Sequence, residues 1–251
     1  KGIHAGSTIR PSFHKKQNVV IIIVESLSQN YISYFKGKGK TPFLDSLFSE
    51  SMVFSNGFAN AKESIQGIPA VLSSIPSLQD DPFIFSHYAA NKITSIATLL
   101  KPEGYNASFF HGGGNGTMGF NSYSKLSGFD AYFGRDEYNN DADFDGNWGI
   151  WDEPFMKYMG RELSKMPQPF VSSVFTLNTH HPFTVPARYS KRFKQEGHPI
   201  LSCVQYADYA LAEFFKQIKQ TDWYENTLFV ITADHTGPKL EGLEENVLDD
   251  Y

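Results

Sequence analysis

Four polar clusters in this 251-residue chain each follow a short apolar run. Glu25 ends Val19 to Val24, and His111 ends Asn106 to Phe110. Asn178-Thr179-His180-His181 follows Pro169 to Leu177, and Asp234-His235 follows Leu228-Phe229-Val230-Ile231. In open α/β sheets ligands bind beyond the carboxyl ends of the strands, so clusters placed this way converge on one rim. A single polar residue there reads equally well as a solvated strand end; four together point to a site. Glu25, Asp234 and His235 supply two carboxylates and one imidazole, a donor set suited to one divalent cation, Mn²⁺, Mg²⁺ or Zn²⁺. A fourth donor is expected from Ser64, in Ala61-Lys62-Glu63-Ser64-Ile65-Gln66-Gly67, where a helix would begin. Its hydroxyl can meet the cation while backbone N–H groups and the helix dipole face an anion. Serine is also a preferred N-cap, so position alone leaves a plain capping role open.

The elements that must hold these residues alternate. Gln17 to Val24 is a β-branched run without polar alternation, as in a strand buried on both faces of a parallel sheet. Thr41-Pro42-Phe43-Leu44-Asp45 reads as a helix start, and a helix is expected over about 42 to 50. Met52-Val53-Phe54 is expected as a short strand. Ile65 to Ser73 follows as a helix whose first turns Gly67 and Pro69 make irregular. Further on, helices are expected over Ile93 to Lys101, Glu153 to Lys165 and Ile200 to Ile218, with strands at 106 to 110, 169 to 177 and 227 to 233. Repeated βα alternation implies an α/β fold, a doubly wound, mostly parallel sheet sandwiched by helices. The Gly/Asn/Asp-rich stretch His111 to Gly149 is expected as one long loop region.

Composition narrows the function classes. Twenty-two Lys and Arg against 27 Asp and Glu give a net charge of −5, so no global positive field gathers nucleic acid. Hydrophobic residues at 41%, 15% of the chain being aromatic, supply a core and argue against disorder. The longest aliphatic run, Val19 to Val24, is far short of the roughly 20 residues a membrane helix needs. The lone cysteine, Cys203, excludes an internal disulfide and a multi-cysteine zinc cage and is expected as a buried thiol. The start at Lys1 suggests a processed or excised part of something longer.

Six motifs, in order along nearly the whole chain, resemble the lipoteichoic acid synthase-like phosphoglycerol transferases of the alkaline phosphatase and sulfatase superfamily. They are Val24-Glu25-Ser26, Thr41-Pro42-Phe43-Leu44, Lys62-Glu63-Ser64-Ile65-Gln66-Gly67-Ile68-Pro69, Phe110-His111-Gly112-Gly113, Thr179-His180-His181-Pro182-Phe183 and Thr232-Ala233-Asp234-His235. The resemblance implies an alkaline-phosphatase-like catalytic domain over residues 1 to 251, exported to the extracytoplasmic face of the cytoplasmic membrane. A membrane anchor outside this chain and further C-terminal elements are implied with it. One Mn²⁺ or Mg²⁺ would be held by Glu25, Ser64, Asp234 and His235, with Ser64 as nucleophile and His180 as a substrate-binding histidine. His111, Lys62 and His181 are further substrate-binding candidates. The implied reaction moves a glycerophosphate-type group from a phospholipid donor to a glycan or polyol acceptor through a phosphoserine. The alternatives are a phosphoethanolamine transferase, a phosphodiesterase, phosphatase or sulfatase-like hydrolase, and a metal-binding sensory domain without turnover.

Two features depart from the resemblance: serine replaces the usual threonine at 64, and Met118 and Phe120 stand where a Trp and an Arg normally hold the glycerol phosphate. Formylglycine sulfatase chemistry is excluded, because Ser64 is followed by Gln66 and Ile68 rather than by Pro and Arg. Asp141-Ala142-Asp143-Phe144-Asp145-Gly146 begins like a calcium loop, but position twelve is Asp152 and no helical stripe precedes it. Trp148 and Trp151 are expected to pack, with stacking on a sugar as the alternative.

Overall fold

Val19 to Val24 is apolar on both alternating sides because it is sandwiched. It forms β1 (Asn18–Val24), flanked on both edges by other strands in a five-stranded sheet. The structure, a computed structural model, describes residues 16–194 and 196–241. The other strands are β2 (Asn106–His111), β3 (Ala131–Phe133), β4 (Phe170–Phe175) and β5 (Thr227–Ala233), in the order β3-β2-β4-β1-β5. Every pairing is parallel, with Ile21 lying between Ser173 of β4 and Val230 of β5. All five carboxyl ends therefore open on one rim.

Alternate residues of β1 feed two cores. Val20, Ile22 and Val24, with Phe110, Phe170 and Val174, pack under α1 (Pro42–Ser49), α6 (Asp152–Leu163) and α7 (Ile200–Ile218). Ile21 and Ile23, with Phe109, Val171 and Phe175, pack under α2 (Ser64–Ser73), α3 (Ile96–Leu100) and α4 (Phe120–Leu126). Helices on both faces of a parallel sheet are the doubly wound arrangement that the alternation predicts. Two buried carboxylates fasten helices to this frame. Asp208 of α7 accepts the N–H groups of Phe43 and Leu44 at 3.1 and 2.8 Å, filling the donors that the start of α1 leaves open. Asp152 accepts those of Leu177 and Asn178 at 2.9 and 3.0 Å, while its own N–H donates to Asn178 Oδ1 at 2.6 Å.

Several expectations are corrected. Met52-Val53-Phe54 is not a strand: no neighbouring strand pairs with it, and Met52 and Phe54 are 84% and 77% exposed. The helix expected from Ile93 begins at Ile96, because Ser95 and Thr98 form a reciprocal capping box. Its Lys101 end passes into a 3₁₀ turn, Lys101–Glu103. Pro69 lies inside α2 rather than disordering its first turns. The stretch His111 to Gly149 is not one loop: it holds α4, β3 and α5 (Arg135–Tyr138). Three residues of β3 suffice because β2 already offers the pairing edge, a tertiary signal with no local counterpart. In the calcium-like segment, Asp141 pairs with Arg135, Asp143 accepts from the Tyr138 hydroxyl, and Asp145 accepts three successive backbone N–H groups. Those carboxylates are bound to the protein itself. Cys203 is buried, and no described helix is long and apolar enough to cross a membrane.

Candidate active site

The four strand-end clusters and the start of α2 meet around Glu25. Glu25 leaves β1 buried, its N–H donating to Thr176 Oγ1 at 3.0 Å and its carbonyl accepting from the Thr179 hydroxyl. Ser26 next to it has φ of 53°, strained for a side-chain-bearing residue. That turn aims its N–H at Asp234 Oδ1 (2.8 Å) and its hydroxyl at Glu25 Oε1 (2.5 Å). Asp234 Oδ1 also accepts the His235 N–H at 2.9 Å, whereas Asp234 Oδ2 is buried without a hydrogen-bond partner. Helix α2 comes close because residue 67 is glycine: a Cβ there would lie 2.9 Å from both the Cβ and the carbonyl oxygen of Asp234.

Ser64 is the first residue of α2, and Glu63 occupies the cap position without a side-chain capping bond. The Ser64 hydroxyl instead donates to Glu25 Oε2 at 2.7 Å and lies 3.3 Å from His235 Nε2. The capping alternative is thereby set aside. His235 Nδ1 lies 2.8 Å from the Thr236 carbonyl and so carries a proton, and in the neutral ring Nε2 keeps its lone pair. That lone pair faces Glu25 Oε1 at 3.5 Å and Asp234 Oδ2 at 3.3 Å. Ligand atoms of Glu25, Asp234 and His235 all lie within 4.8 Å of one another. Acceptors turned on each other in a buried place repel unless a cation lies among them. Burial, and next the negative charge of Asp234, hold the Glu25 carboxyl well above its ordinary pKa. The orphaned Asp234 Oδ2, the His235 tautomer and the mixed O/N donor set fit one divalent cation, with Ser64 Oγ as a further oxygen.

His111 ends β2 fully buried. Its Nδ1 donates to the Phe175 carbonyl at 3.1 Å, the ring stacks on Phe175 at 5.0 Å, and Nε2 has no partner. Burial pushes its pKa down to about 4, so the ring is neutral. With Glu25, Ser64 and His180 it lines a small cavity closed by Thr117, Met118, Phe120, Trp148, Phe175 and Leu177. Met118 and Phe120 thus stand at the wall, and the described lining holds no Lys or Arg. His180 is reached because the turn after β4 is pinned by Asp152. Two expected residues are elsewhere: the His181 ring is exposed and edges onto Phe183, and Lys62 is exposed two residues before Ser64. Neither lines the cavity. Two contributors carry no role in the sequence reading and a third carries another. Ser26 announces itself only through backbone geometry, Thr179 sits unassigned in the Thr-His-His motif, and Trp148 lines the cavity where packing was expected. Trp151 does pack, edge-on to Tyr206 at 6.0 Å.

The chain is 29% identical over 239 residues to lipoteichoic acid synthase 2 of Bacillus subtilis, covering 88% of this chain and 35% of that protein. It is 28% identical over 244 residues to phosphoglycerol transferase I of Salmonella agona, covering 88% and 31%. Among solved structures, an alkaline phosphatase superfamily protein from Vibrio parahaemolyticus superposes with a TM-score of 0.83 at 30% identity, covering 94% of this chain and 58% of that one. The chain spans about a third of the length of those curated relatives. Residues 17–248 match the sulfatase family, and with the doubly wound sheet and the cluster at its rim the chain belongs to that family.

Proposed function

We propose that this chain is a metal-dependent phosphotransferase that moves a glycerophosphate-type group from a phospholipid to a glycan or polyol through a Ser64 phosphoester. The observation that carries the reading is the contact of Ser64 Oγ with both Glu25 Oε2 and His235 Nε2, at 2.7 and 3.3 Å, at the first turn of a helix. A bound Mn²⁺, Mg²⁺ or Zn²⁺ would lower the pKa of the seryl hydroxyl and draw electron density from the phosphoryl oxygens. Glu25, Asp234, His235 and Ser64 would hold it. Ser64 Oγ, its proton passing to solvent, then attacks phosphorus, the bond to the diacylglycerol oxygen breaks, and His180, once a proton from water is on Nε2, delivers it to that oxygen. An acceptor hydroxyl next attacks the phosphoserine, giving its proton to His180 Nε2, and Ser64 leaves, taking a proton from solvent. The α2 amide end faces the phosphate throughout. The named activities of the relatives support this donor and acceptor class, and it implies work at the extracytoplasmic membrane surface, with attachment through a segment outside this chain.

The test is headgroup release from phosphatidylglycerol vesicles in Mn²⁺, with mass spectrometry of the Ser64 peptide. Release together with a phosphorylated Ser64 supports the reading; release undiminished in Ser64→Ala defeats it. Affinity for glycerol phosphate without any release would favour the sensory alternative. A second reading, phosphoethanolamine transfer, is favoured by the described cavity wall of Met118, Phe120 and Trp148, which offers aromatic faces and no fixed cation to the headgroup. Phosphatidylethanolamine vesicles in the same assay separate the two.

A further inference from the structure

Trp148 lies outside every motif that carries the family resemblance, yet it touches the site at two places. Its indole Nε1 donates to the His181 carbonyl at 2.6 Å, and His180 Nδ1 lies 2.8 Å from the same oxygen. A carbonyl has two lone pairs, and both are engaged here. The two rings meet edge to face, with centroids 4.5 Å apart at 67°. Trp148 is itself held in place: Asp145 Oδ1 accepts the N–H groups of Asn147, Trp148 and Gly149 at 2.8, 2.8 and 3.1 Å. Gly149 bridges to Gly113, and the Ile150 N–H reaches the Gly112 carbonyl at 3.0 Å. The turn bearing Trp148 is therefore bolted to the segment that follows His111, while its indole reaches across to His180.

We propose that Trp148 is a positioning residue for His180. By sharing the His181 carbonyl it fixes the imidazole with its proton on Nδ1 and leaves Nε2 as the ring nitrogen open to the cavity that Ser64 lines. It supplies from another stretch of chain an aromatic wall that Met118 does not provide. The role of His180 in transfer rests on the proposed function; the tautomer does not.

The test uses the full chain and Trp148→Phe, which keeps a ring and removes only the N–H. Trp148 is 38% exposed, so this variant is expected to fold; Trp148→Leu is the second variant. Nitrogen-15 NMR of the histidine rings, metal-free and in Mg²⁺, reads the tautomer. Turnover of bis(p-nitrophenyl) phosphate in Mn²⁺ reads kcat and KM, and elemental analysis reads bound metal. The expected result is an Nδ1-protonated His180 in the unaltered protein and a tautomer mixture in Trp148→Phe. With it, kcat should fall about 10–100-fold at unchanged metal content, the range for lost supporting contacts. An unchanged tautomer in Trp148→Phe overturns the proposal whatever the rate does, and so does a changed tautomer with full kcat. If the unaltered protein turns over no phosphodiester, the reading of the site as a phosphotransferase fails, and the NMR measurement alone decides the positioning role.

Discussion

Two kinds of buried carboxylate occur in this molecule. Asp208 and Asp152 each accept two backbone N–H groups, and each fastens one element to another. Glu25 and Asp234 are as deeply buried, yet they face each other and the lone pair of His235, and Asp234 Oδ2 has no partner. A buried charge is tolerated when hydrogen bonds answer it and costly when they do not. Asp208 and Asp152 are part of the frame; at Glu25 and Asp234 the frame instead holds two carboxylates against each other with one oxygen, Asp234 Oδ2, left bare. Neither degree of burial nor the count of donors separates them; their distribution does, because Asp208 and Asp152 take one N–H on each oxygen, whereas Asp234 takes two on Oδ1 and leaves Oδ2 bare.

The largest effect that tests this contrast is expected at Ser64. Ser64→Ala should lower headgroup release by about 10⁴-fold or more, the scale of losing a nucleophile, with the urea midpoint of the metal-free protein nearly unchanged. Next comes Asp208→Ala, which leaves two amide donors without their acceptor and should cost about 2–4 kcal/mol in urea unfolding. Its bound metal per chain should stay constant. Asp234→Asn should do the reverse: metal content by elemental analysis falls, while the metal-free fold keeps or gains about 1 kcal/mol, because a like-charge contact disappears. Equal destabilisation by Asp208→Ala and Asp234→Asn would erase the distinction.

Smaller effects follow from pH. Burial raises Asp152 to about 7, so its contribution to stability is fully present below about 4, the unfolded carboxyl value, and is lost as pH rises through 7. Burial lowers His111 to about 4, so its contribution is fully present above about 6.5 and is lost as pH falls through 4. The two slopes oppose each other between pH 4 and 6.5. His111→Phe should therefore leave a metal-free protein whose stability falls more steeply with rising pH across that interval, measured by urea midpoints at half-unit steps. A profile identical to that of the unaltered protein would mean His111 is not held neutral in the fold.

Much of this was readable from residue order. The β-branched run of β1, the amphipathic stripe of α7 and the bounds of β5 follow from pattern alone, and so does the convergence of strand-end residues on one rim. What escaped was non-local. Residues 131–133 become a strand only because β2 is beside them, and Met52 to Phe54 fails to become one for want of such a neighbour. At the site, Glu25, Ser64, Asp234 and His235 were nameable by type and spacing. His181 and Lys62 were not separable from His180 and Ser64, because one or two positions along a turn change the direction a side chain takes. Trp148 was legible as an aromatic residue but not as a neighbour of His180, since the two lie 32 positions apart.

The glycine at 67 has a wider consequence. The distance between the Ser64 hydroxyl and its acidic neighbours is set by two main chains in van der Waals contact, with no side chain on residue 67 as a spacer. Such a joint has no slack. Exchanging serine for threonine at 64 changes the reacting alcohol and leaves the joint alone, whereas even alanine at 67 would wedge it open. In a saturation library scored by catalysis, tolerance should therefore be wider at the nucleophile, between its two alcohols, than at the silent glycine one helical turn along.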